Sequence, residues 1–230
     1  ESMSRVPIFS DRGAWFTDLE VARGTGFVHM GLSADLIAAL DGRTRQELDA
    51  WAVRSHHRAA AAWEAGHFER SVVPVQDDQG AVLLARDERV RPGITVEALA
   101  ERPPAFVELG AAGGDLLIRT RYPDLTELPH LHTSGTSPGI VDGAAVVVIG
   151  SRAAGEALGL TPRARIVSFA QAGVEPMRML TGPVPATHKA LERAGLTASD
   201  IDLWETNESF SAPVLHYADQ LGLDREAVNV

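Results

Sequence analysis

Apolar positions recur at helical spacing in several stretches of the chain, and these stretches predict its helices. The clearest one begins at Thr44, where Glu47 three residues later completes a capping box, and it ends at Gly66. Several of the other helical patterns are also followed by glycine, which is favoured just past a helix end. The further helices are predicted over residues 33–40, 94–102, 153–158, 185–194 and 209–221.

Short β-branched runs predict the strands. The first two, over 71–75 and 81–85, are separated by Asp77-Asp78-Gln79-Gly80 and predict a hairpin. Further strands are predicted over residues 144–149, 164–170 and 201–204. The run over 144–149 is continuously apolar, as in a strand covered on both faces. Because strands and helices alternate from there on, the predicted fold class is α/β, with layered sheets and helices.

Two stretches show no clear period. Residues 1–30 mix glycine, proline and aromatic side chains, and residues 105–131 carry glycines, prolines and tyrosine. Loops as long as the second stretch are usually functional or are insertions when they occur inside compact domains. Both stretches are therefore predicted to be irregular.

The composition narrows the classes of function. The net charge is −10 over 230 residues and Lys and Arg do not form a basic stripe, which argues against nucleic acid as a partner. The absence of cysteine excludes disulfides, Cys-ligated zinc and a thiol nucleophile within this stretch. No apolar run reaches the length of a membrane span and the first residues lack a secretory signal, so a cytoplasmic protein is expected. Both ends are abrupt, which suggests a fragment.

Three local motifs are weak candidates for chemistry. Gly135-Thr136-Ser137-Pro138-Gly139 matches a hydrolase nucleophile elbow, but it does not stand between a strand and a helix. His130 and His132 alternate like two metal ligands, yet no carboxylate or further histidine stands at a recognisable ligand spacing, so no metal site is expected. The glycines of 110–114 lack the continuation of a phosphate-binding loop and predict a turn.

Asn207 is a stronger candidate because of its place in the chain. It lies between the predicted strand ending at Trp204 and the predicted helix over 209–221. An amide at such a junction can hold a water or an oxyanion, and the following helix start offers unpaired backbone donors. It can equally cap that helix. The local sequence leaves both interpretations open.

A series of motifs runs through the chain up to Phe210. They are Glu1-Ser2-Met3-Ser4, Arg54 to Ala62, Val73-Pro74-Val75, Arg91-Pro92, Pro104-Ala105-Phe106, Ser137 to Ala145, Gly182 to Ala186, and Asn207-Glu208-Ser209-Phe210. In this order they resemble the motifs of the thiolases, the acetyl-CoA acyltransferases. The stretch 107–131 resembles an insertion of the degradative, fatty-acid-oxidation branch, the 3-ketoacyl-CoA thiolase type.

The resemblance implies the thiolase fold, in which two similar halves form a layered αβαβα arrangement with an inserted loop domain. Residues 1–130 would be the CoA-binding loop domain, 131–151 the closing segment of the N-terminal half, and 152–230 the first part of the C-terminal half. The chain would thus be a central fragment that covers the fold only partly, and both catalytic cysteines would lie outside it.

The resemblance also implies a reaction, in which a cysteine takes the acyl group from 3-ketoacyl-CoA, acetyl-CoA leaves and CoA receives the acyl group. Asn207 would hold a water that, with a histidine outside this chain, stabilises the charge developing on the carbonyl oxygen. CoA and acyl-CoA would be substrates, with no permanently bound cofactor. The residues that would contact them are His29, Met30, Arg91, Phe106, Ser137, Ser209 and Phe210.

Two departures from the family pattern qualify these expectations. Pro138 stands where a serine usually reaches the pantetheine amide, so that contact would fall to Ser137, and Ser209 replaces an alanine.

A homodimer or homotetramer is expected, with other β-oxidation enzymes as candidate partners. The alternative function is a non-catalytic thiolase-like subunit that binds acyl-CoA or acts as a scaffold.

Overall fold

The computed structural model describes residues 13, 14 and 18–230 of the chain. The motif Glu1-Ser2-Met3-Ser4 and much of the first half of the stretch 1–30 lie outside the described residues. Of the helices that are described, none combines the length and the apolar character that crossing a membrane requires.

The described chain is mainly helical. Its α-helices are α1 (Leu19–Thr25), α2 (Met30–Leu40), α3 (Arg45–Glu64), α4 (Val96–Ala100), α5 (Val107–Leu109), α6 (Asp115–Arg121), α7 (Arg152–Ala157), α8 (Pro183–Ala194) and α9 (Ser211–Leu221). A π-helical turn (Gly110–Gly114) joins α5 to α6, and 3₁₀ turns cover Pro176–Thr181, Ala198–Asp200 and Arg225–Ala227. Strands β1 (Val75–Gln76) and β2 (Val82–Leu84) pair antiparallel, which confirms the predicted hairpin in shorter form.

Helix α2 lies at the centre of the described structure because two hydrophobic clusters share it. One cluster joins α2 to α3 and α9, and the other joins it to α1, α6 and the turn at Pro176–Thr181. The first consists of Ile37, Ala38, Leu48, Trp51, Ala212, Val214, Leu215, Ala218 and Val228. The second consists of Ala22, Val28, Leu32, Leu36, Leu117, Ile118, Leu128 and Met177. Because α2 is packed on both sides, it has little freedom to move, and it fixes the relative positions of the helices that pack against it.

The helix ends follow the local signals in the sequence. The capping box at the start of α3 is present, with Glu47 N donating to Thr44 Oγ1 at 3.2 Å and Thr44 N donating to Glu47 Oε2 at 2.8 Å. Gly195 and Gly222 follow α8 and α9 with φ of 69° and 64°, the left-handed conformation that glycine adopts without strain. The predicted helices were thus correct in position, and several begin earlier or later by a few residues.

The strand predictions in the second half were wrong for the described chain. Residues 144–149 and 164–170 have no regular secondary structure, and Val146 and Phe169 are 91% and 77% exposed. The predicted strand over 201–204 is reduced to one parallel bridge between Trp204 and Val228. A strand is stable only with a partner, and among the described residues none pairs with these apolar runs.

The stretch 105–131 was predicted to be irregular but contains α5, the π-helical turn and α6. Helix α6 is held by Leu117 and Ile118, which are buried against α2. Its seven residues span only two turns, so its apolar period was too short to detect. The predicted turn at 110–114 is the π-helical turn, in which Gly113 has φ 122°.

Replacing Thr44 by alanine should lower the free energy of unfolding by about 1 kcal/mol, because the hydroxyl that accepts from Glu47 N is lost. Thr44→Ser is the matched control, since it keeps the hydroxyl and should stay within about 0.5 kcal/mol of the wild type. Urea unfolding followed by circular dichroism measures both values. Equal losses in the two variants would show that the capping box does not stabilise α3.

Candidate functional site

Asn207 lies on an exposed loop between Trp204 and helix α9. The loop begins at the bridge between Trp204 and Val228 and ends where α9 starts at Ser211. The N-cap position of α9 is Phe210, so the interpretation of Asn207 as the helix cap is wrong. Within the described residues, the side chain of Asn207 has no hydrogen-bond partner. Its amide is therefore available to a ligand or a water.

The side chain of Asn229 holds the backbone of Thr206 and the side chain of Glu208, the two residues on either side of Asn207. Its Oδ1 accepts from Thr206 N at 2.8 Å, and its Nδ2 donates to Thr206 O at 2.9 Å. The same Nδ2 donates to Glu208 Oε1 at 2.8 Å, and this oxygen also accepts from Trp51 Nε1 at 3.0 Å. Asn229 has φ 51°, a left-handed conformation that asparagine tolerates better than most residues. The loop is thus tied to α3 and to the last residues of the chain.

Three of the predicted contact residues meet in an aromatic cluster formed by His29, Phe106, Phe210 and His132. The ring centroid of Phe106 lies 5.5 Å from that of His29 and 5.8 Å from that of Phe210. Phe210 also meets His132 at 5.4 Å, and both of its ring contacts are close to perpendicular. Edge-to-face pairs at this spacing are favourable beyond the area they bury. The aromatic cluster connects the loop of Asn207 with the start of α2.

Gly31 allows Phe106 to lie directly on the first turn of α2. A Cβ at position 31 would stand 2.3 Å from Phe106 Cε1, far inside van der Waals contact. The Gly31 amide also donates to His29 Nδ1 at 3.0 Å, which makes His29 the N-cap of α2. Because Nδ1 accepts, the neutral ring carries its proton on Nε2. Burial lowers the pKa of His29, which favours this neutral form.

Three other predicted contact residues lie outside the aromatic cluster. Met30 is 43% exposed at the start of α2, directly after His29. Ser209 is half-buried on the loop that carries Asn207. Ser137 Oγ donates to Thr133 O at 2.6 Å, so its proton is used within its own loop. Its oxygen lone pairs remain able to accept one further hydrogen bond.

Arg91, in the segment before α4, lies beside His56 of α3. Arg91 N donates to His56 Nδ1 at 3.3 Å. Burial is the largest of the effects that lower the pKa of His56, and the positive charge of Arg91 is the second. Arg89 packs on the loop of Ser137, since a Cβ at Gly139 would lie 2.8 Å from Arg89 Nε. Within the described residues, no hydrogen bond or ring contact joins Arg91 to the aromatic cluster. The two arginines form a separate basic region.

The two histidines that resembled a metal pair are bonded to a shared carboxylate. His132 Nδ1 lies 2.7 Å from Asp35 Oδ1, and His130 Nδ1 lies 3.2 Å from Asp35 Oδ2. This carboxylate comes from α2 and is 97 positions from His132, so no local spacing in the sequence indicated it. In the part of the chain that is described, no group of three or more His, Asp or Glu side chains could hold a metal ion.

Sequence reasoning did not single out Asp35, Asn229 and Trp51, and it named His132 and Glu208 without their part in holding the site together. Asp35 carried a usable signal, since it is the one ionisable residue in a helix of otherwise apolar and small residues. A lone carboxylate in such a helix is rarely buried without partners. Asn229 stands between two valines near the end of the chain and carried no local signal.

Two family models match the chain, the thiolase N-terminal domain over residues 1–114 and the thiolase C-terminal domain over residues 160–230. The chain is 42% identical over 229 residues to a 3-ketoacyl-CoA thiolase of Cronobacter sakazakii, covering 97% of this chain and 53% of that protein. It is 42% identical over 204 residues to an acetyl-CoA acetyltransferase of Escherichia coli, covering 88% and 47%.

A solved structure is similar as well. The acetyl-CoA acetyltransferase of Bacillus anthracis aligns with a TM-score of 0.74 at 36% sequence identity, over 88% of this chain and 47% of that one. The chain thus spans about half the length of the relatives it matches.

Replacing Asn229 by alanine should loosen the backbone around Asn207, because three hydrogen bonds to Thr206 and Glu208 are lost. We expect amide exchange over residues 205–208 to become about tenfold faster or more, while the second half of α9 is unchanged. Asn229→Asp should be no better, since it places a carboxylate against Glu208. Hydrogen-exchange mass spectrometry measures both effects. Unchanged exchange over 205–208 in Asn229→Ala would show that Asn229 does not restrain this loop.

The lowered pKa of His29 predicts a pH dependence of stability. Because folding lowers this pKa, the unfolded chain binds the proton more readily, with a pKa of about 6.5. The contribution of neutral His29 is therefore complete above this pKa and is lost as the pH falls below it. His29→Asn keeps a polar cap without titrating, so its free energy of unfolding should fall less between about pH 7 and pH 5. Chemical denaturation at several pH values measures this, and parallel curves for variant and wild type would contradict it.

Proposed function

Because the chain belongs to the thiolase family and shares the fold of its solved relative, we propose that its protein is an acetyl-CoA C-acyltransferase of the degradative 3-ketoacyl-CoA thiolase type. It cleaves 3-ketoacyl-CoA with CoA to acyl-CoA and acetyl-CoA. The observation that carries the proposal is the side-chain amide of Asn207. It has no hydrogen-bond partner within the described residues, although its neighbours Thr206 and Glu208 are both bonded to Asn229.

In this reaction a cysteine thiolate attacks the 3-keto carbon of the substrate. The bond between C2 and C3 breaks, and acetyl-CoA leaves as its enolate, which takes up a proton. The thiol of CoA then attacks the acyl thioester and releases the cysteine. Since this sequence has no cysteine, the proposal requires both cysteines to come from outside these 230 residues. The oxyanion histidine is assigned to the same outside part because the family carries it in a G-H-P motif, which these 230 residues do not contain.

The part of Asn207 in this scheme is to orient a water toward the oxygen that becomes negative. Its amide offers donors and an acceptor, so it can fix the water and leave one of the water's hydrogens directed at the oxyanion. Donors that are already in place when charge develops lower the barrier because nothing has to reorganise. The hydrogen bonds of Asn229 to Thr206 and Glu208 supply this preorganisation.

The aromatic cluster would form the wall of the pantetheine and acyl site. His29, Phe106 and Phe210 pack ring against ring, with Phe210 buried behind the half-buried rings of His29 and Phe106, and such an apolar wall suits the methylene groups of pantetheine and the acyl chain. Met30, exposed at the edge of this wall, would extend it, because a thioether adapts its shape to a ligand. Ser209 lies one residue before Phe210 and would contact the thioester.

The basic region at Arg89 and Arg91 would receive the nucleotide end of CoA, since guanidinium groups bind phosphate well. Ser137 lies in the loop against which Arg89 packs. Its oxygen can accept from a pantetheine amide while its proton stays with Thr133 O. In this way Ser137 would supply the contact that Pro138 cannot.

The remaining assignments also rest on family membership. Residues 1–130 form the loop domain, 131–151 the closing segment of the N-terminal half, and 152–230 the first part of the C-terminal half. The protein acts in the cytoplasm in fatty acid β-oxidation, as a homodimer or homotetramer, with other β-oxidation enzymes as candidate partners. Sedimentation of the purified protein, alone and mixed with such enzymes, tests the assembly.

Asn207→Ala in the complete protein should lower kcat by about 100-fold to 1,000-fold, because the water loses its support in the transition state. The KM for 3-ketoacyl-CoA should change by less than about threefold, since the lost interaction acts mainly on the developing charge. Glu205→Ala is the matched control, as Glu205 is exposed on the same loop. Thiolysis of ketoacyl-CoA of several chain lengths measures these values.

Two outcomes would contradict the proposal. Full activity of Asn207→Ala would remove Asn207 from the site. A wild-type protein that binds acyl-CoA but cleaves no ketoacyl-CoA of any length would favour the non-catalytic subunit instead.

A further inference from the structure

The start of helix α9 lacks a cap of its own. Its N-cap residue is Phe210, whose side chain has no oxygen to accept from the first turn. The third helical position is Pro213, which has no N–H, so Ser211 and Ala212 carry the orphan donors of this turn. Ser211 and Ala212 are both buried, and a buried N–H group without an acceptor raises the free energy of the folded state. Acceptors must therefore come from elsewhere in the chain.

Those acceptors come from the short segment 132–136. Ser211 N donates to Thr136 O at 3.3 Å, and Ala212 N donates to His132 Nε2 at 3.3 Å. The segment is itself stiffened by a hydrogen bond from Thr133 N to Thr136 Oγ1 at 2.9 Å. A histidine ring thus takes the part that a serine or aspartate plays at most helix starts.

Asp35 determines which ring nitrogen of His132 can accept. His132 Nδ1 lies 2.7 Å from Asp35 Oδ1, and both side chains are fully buried. A carboxylate oxygen accepts, so the ring proton sits on Nδ1 and Nε2 keeps its lone pair for Ala212 N. The same Asp35 oxygen also accepts from His132 N at 2.9 Å, which fixes the backbone that carries the ring.

His132 also contacts the side chain at the helix start. Its ring meets Phe210 at 5.4 Å with an interplanar angle of 75°, and Phe210 in turn meets Phe106 at 5.8 Å. One histidine therefore holds both the first turn of α9, through Ala212 N, and the aromatic ring that precedes it. Neither role belongs to the chemistry proposed for the site.

We propose that His132, oriented by Asp35, is a positioning residue that caps helix α9 from outside and holds Phe210 in the aromatic cluster. Its effect on catalysis rests on the proposed thiolase function, in which Phe210 lies beside the acyl thioester. Its structural part, the cap of α9 by one defined tautomer, does not depend on that function.

The wild-type protein provides the first test. Long-range proton–nitrogen NMR spectra at neutral pH should show the ring of His132 as the Nδ1–H tautomer, with Nε2 unprotonated. A ring protonated on Nε2, alone or together with Nδ1, would overturn the proposal, since it could not accept from Ala212 N.

Variants provide the second test, by hydrogen exchange and kinetics in the complete protein. His132→Phe keeps a ring against Phe210 but removes both the acceptor for Ala212 N and the donor to Asp35 Oδ1, so exchange of the Ala212 amide should become about tenfold faster or more. The KM for 3-ketoacyl-CoA should rise by about tenfold, with a smaller change in kcat, because the pocket wall shifts rather than the reacting groups. His132→Gln, whose amide oxygen can reach the position of Nε2, should recover most of both losses.

His130→Gln is the matched control. It removes a contact to the other oxygen of Asp35, but His130 has no hydrogen bond to α9 within the described residues. Both readouts should stay within about twofold of the wild type. Equal effects of His130→Gln and His132→Phe, or unchanged Ala212 exchange in His132→Phe, would overturn the proposal. If the wild type shows no thiolysis, the NMR and exchange readouts still decide the cap separately from the proposed function.

Discussion

The buried carboxylate of Asp35 in helix α2 is the interaction on which the site depends. Taking a carboxylate out of water is costly unless several donors replace the water. Here His132 supplies two donors, Leu131 N donates at 3.1 Å, and His130 lies 3.2 Å from the second oxygen. The three residues that make these four contacts, 130–132, are consecutive, so satisfying the carboxylate fixes that segment against α2. The first turn of α9 then finds its acceptors there.

One helix consequently organises most of the candidate site. Helix α2 carries His29 at its N-cap, Gly31 under the ring of Phe106, and Asp35 one turn further on. Because α2 is shared by two hydrophobic clusters, these residues have little freedom to move. The loop with Asn207 is restrained from the other side by Asn229. A rigid frame around one exposed amide is what stabilisation of a developing charge requires.

The sequence predicted those features whose causes lie within a few residues of one another. The capping box of Thr44 and the glycines after α8 and α9 are of this kind, and so is the hairpin. The resemblance of the motifs named His29, Phe106 and Phe210, which do meet. The strand expected over 144–149 failed because a strand depends on a partner that local pattern cannot identify. Asp35 and His132 are 97 positions apart, and no local period connects them.

The start of α9 shows why local preference fails at this point. The apolar spacing of the sequence predicted a helix beginning at 209, with Asn207 as one candidate cap. The structure begins the helix two residues later and satisfies its donors with Thr136 O and His132 Nε2. Within the described residues, neither Ser209 nor Asn207 then spends its side chain on a hydrogen bond. Because α9 is capped by residues from another segment, the polar side chains in the loop before it remain available for binding. Departures from local sequence preference are expected at such functional positions.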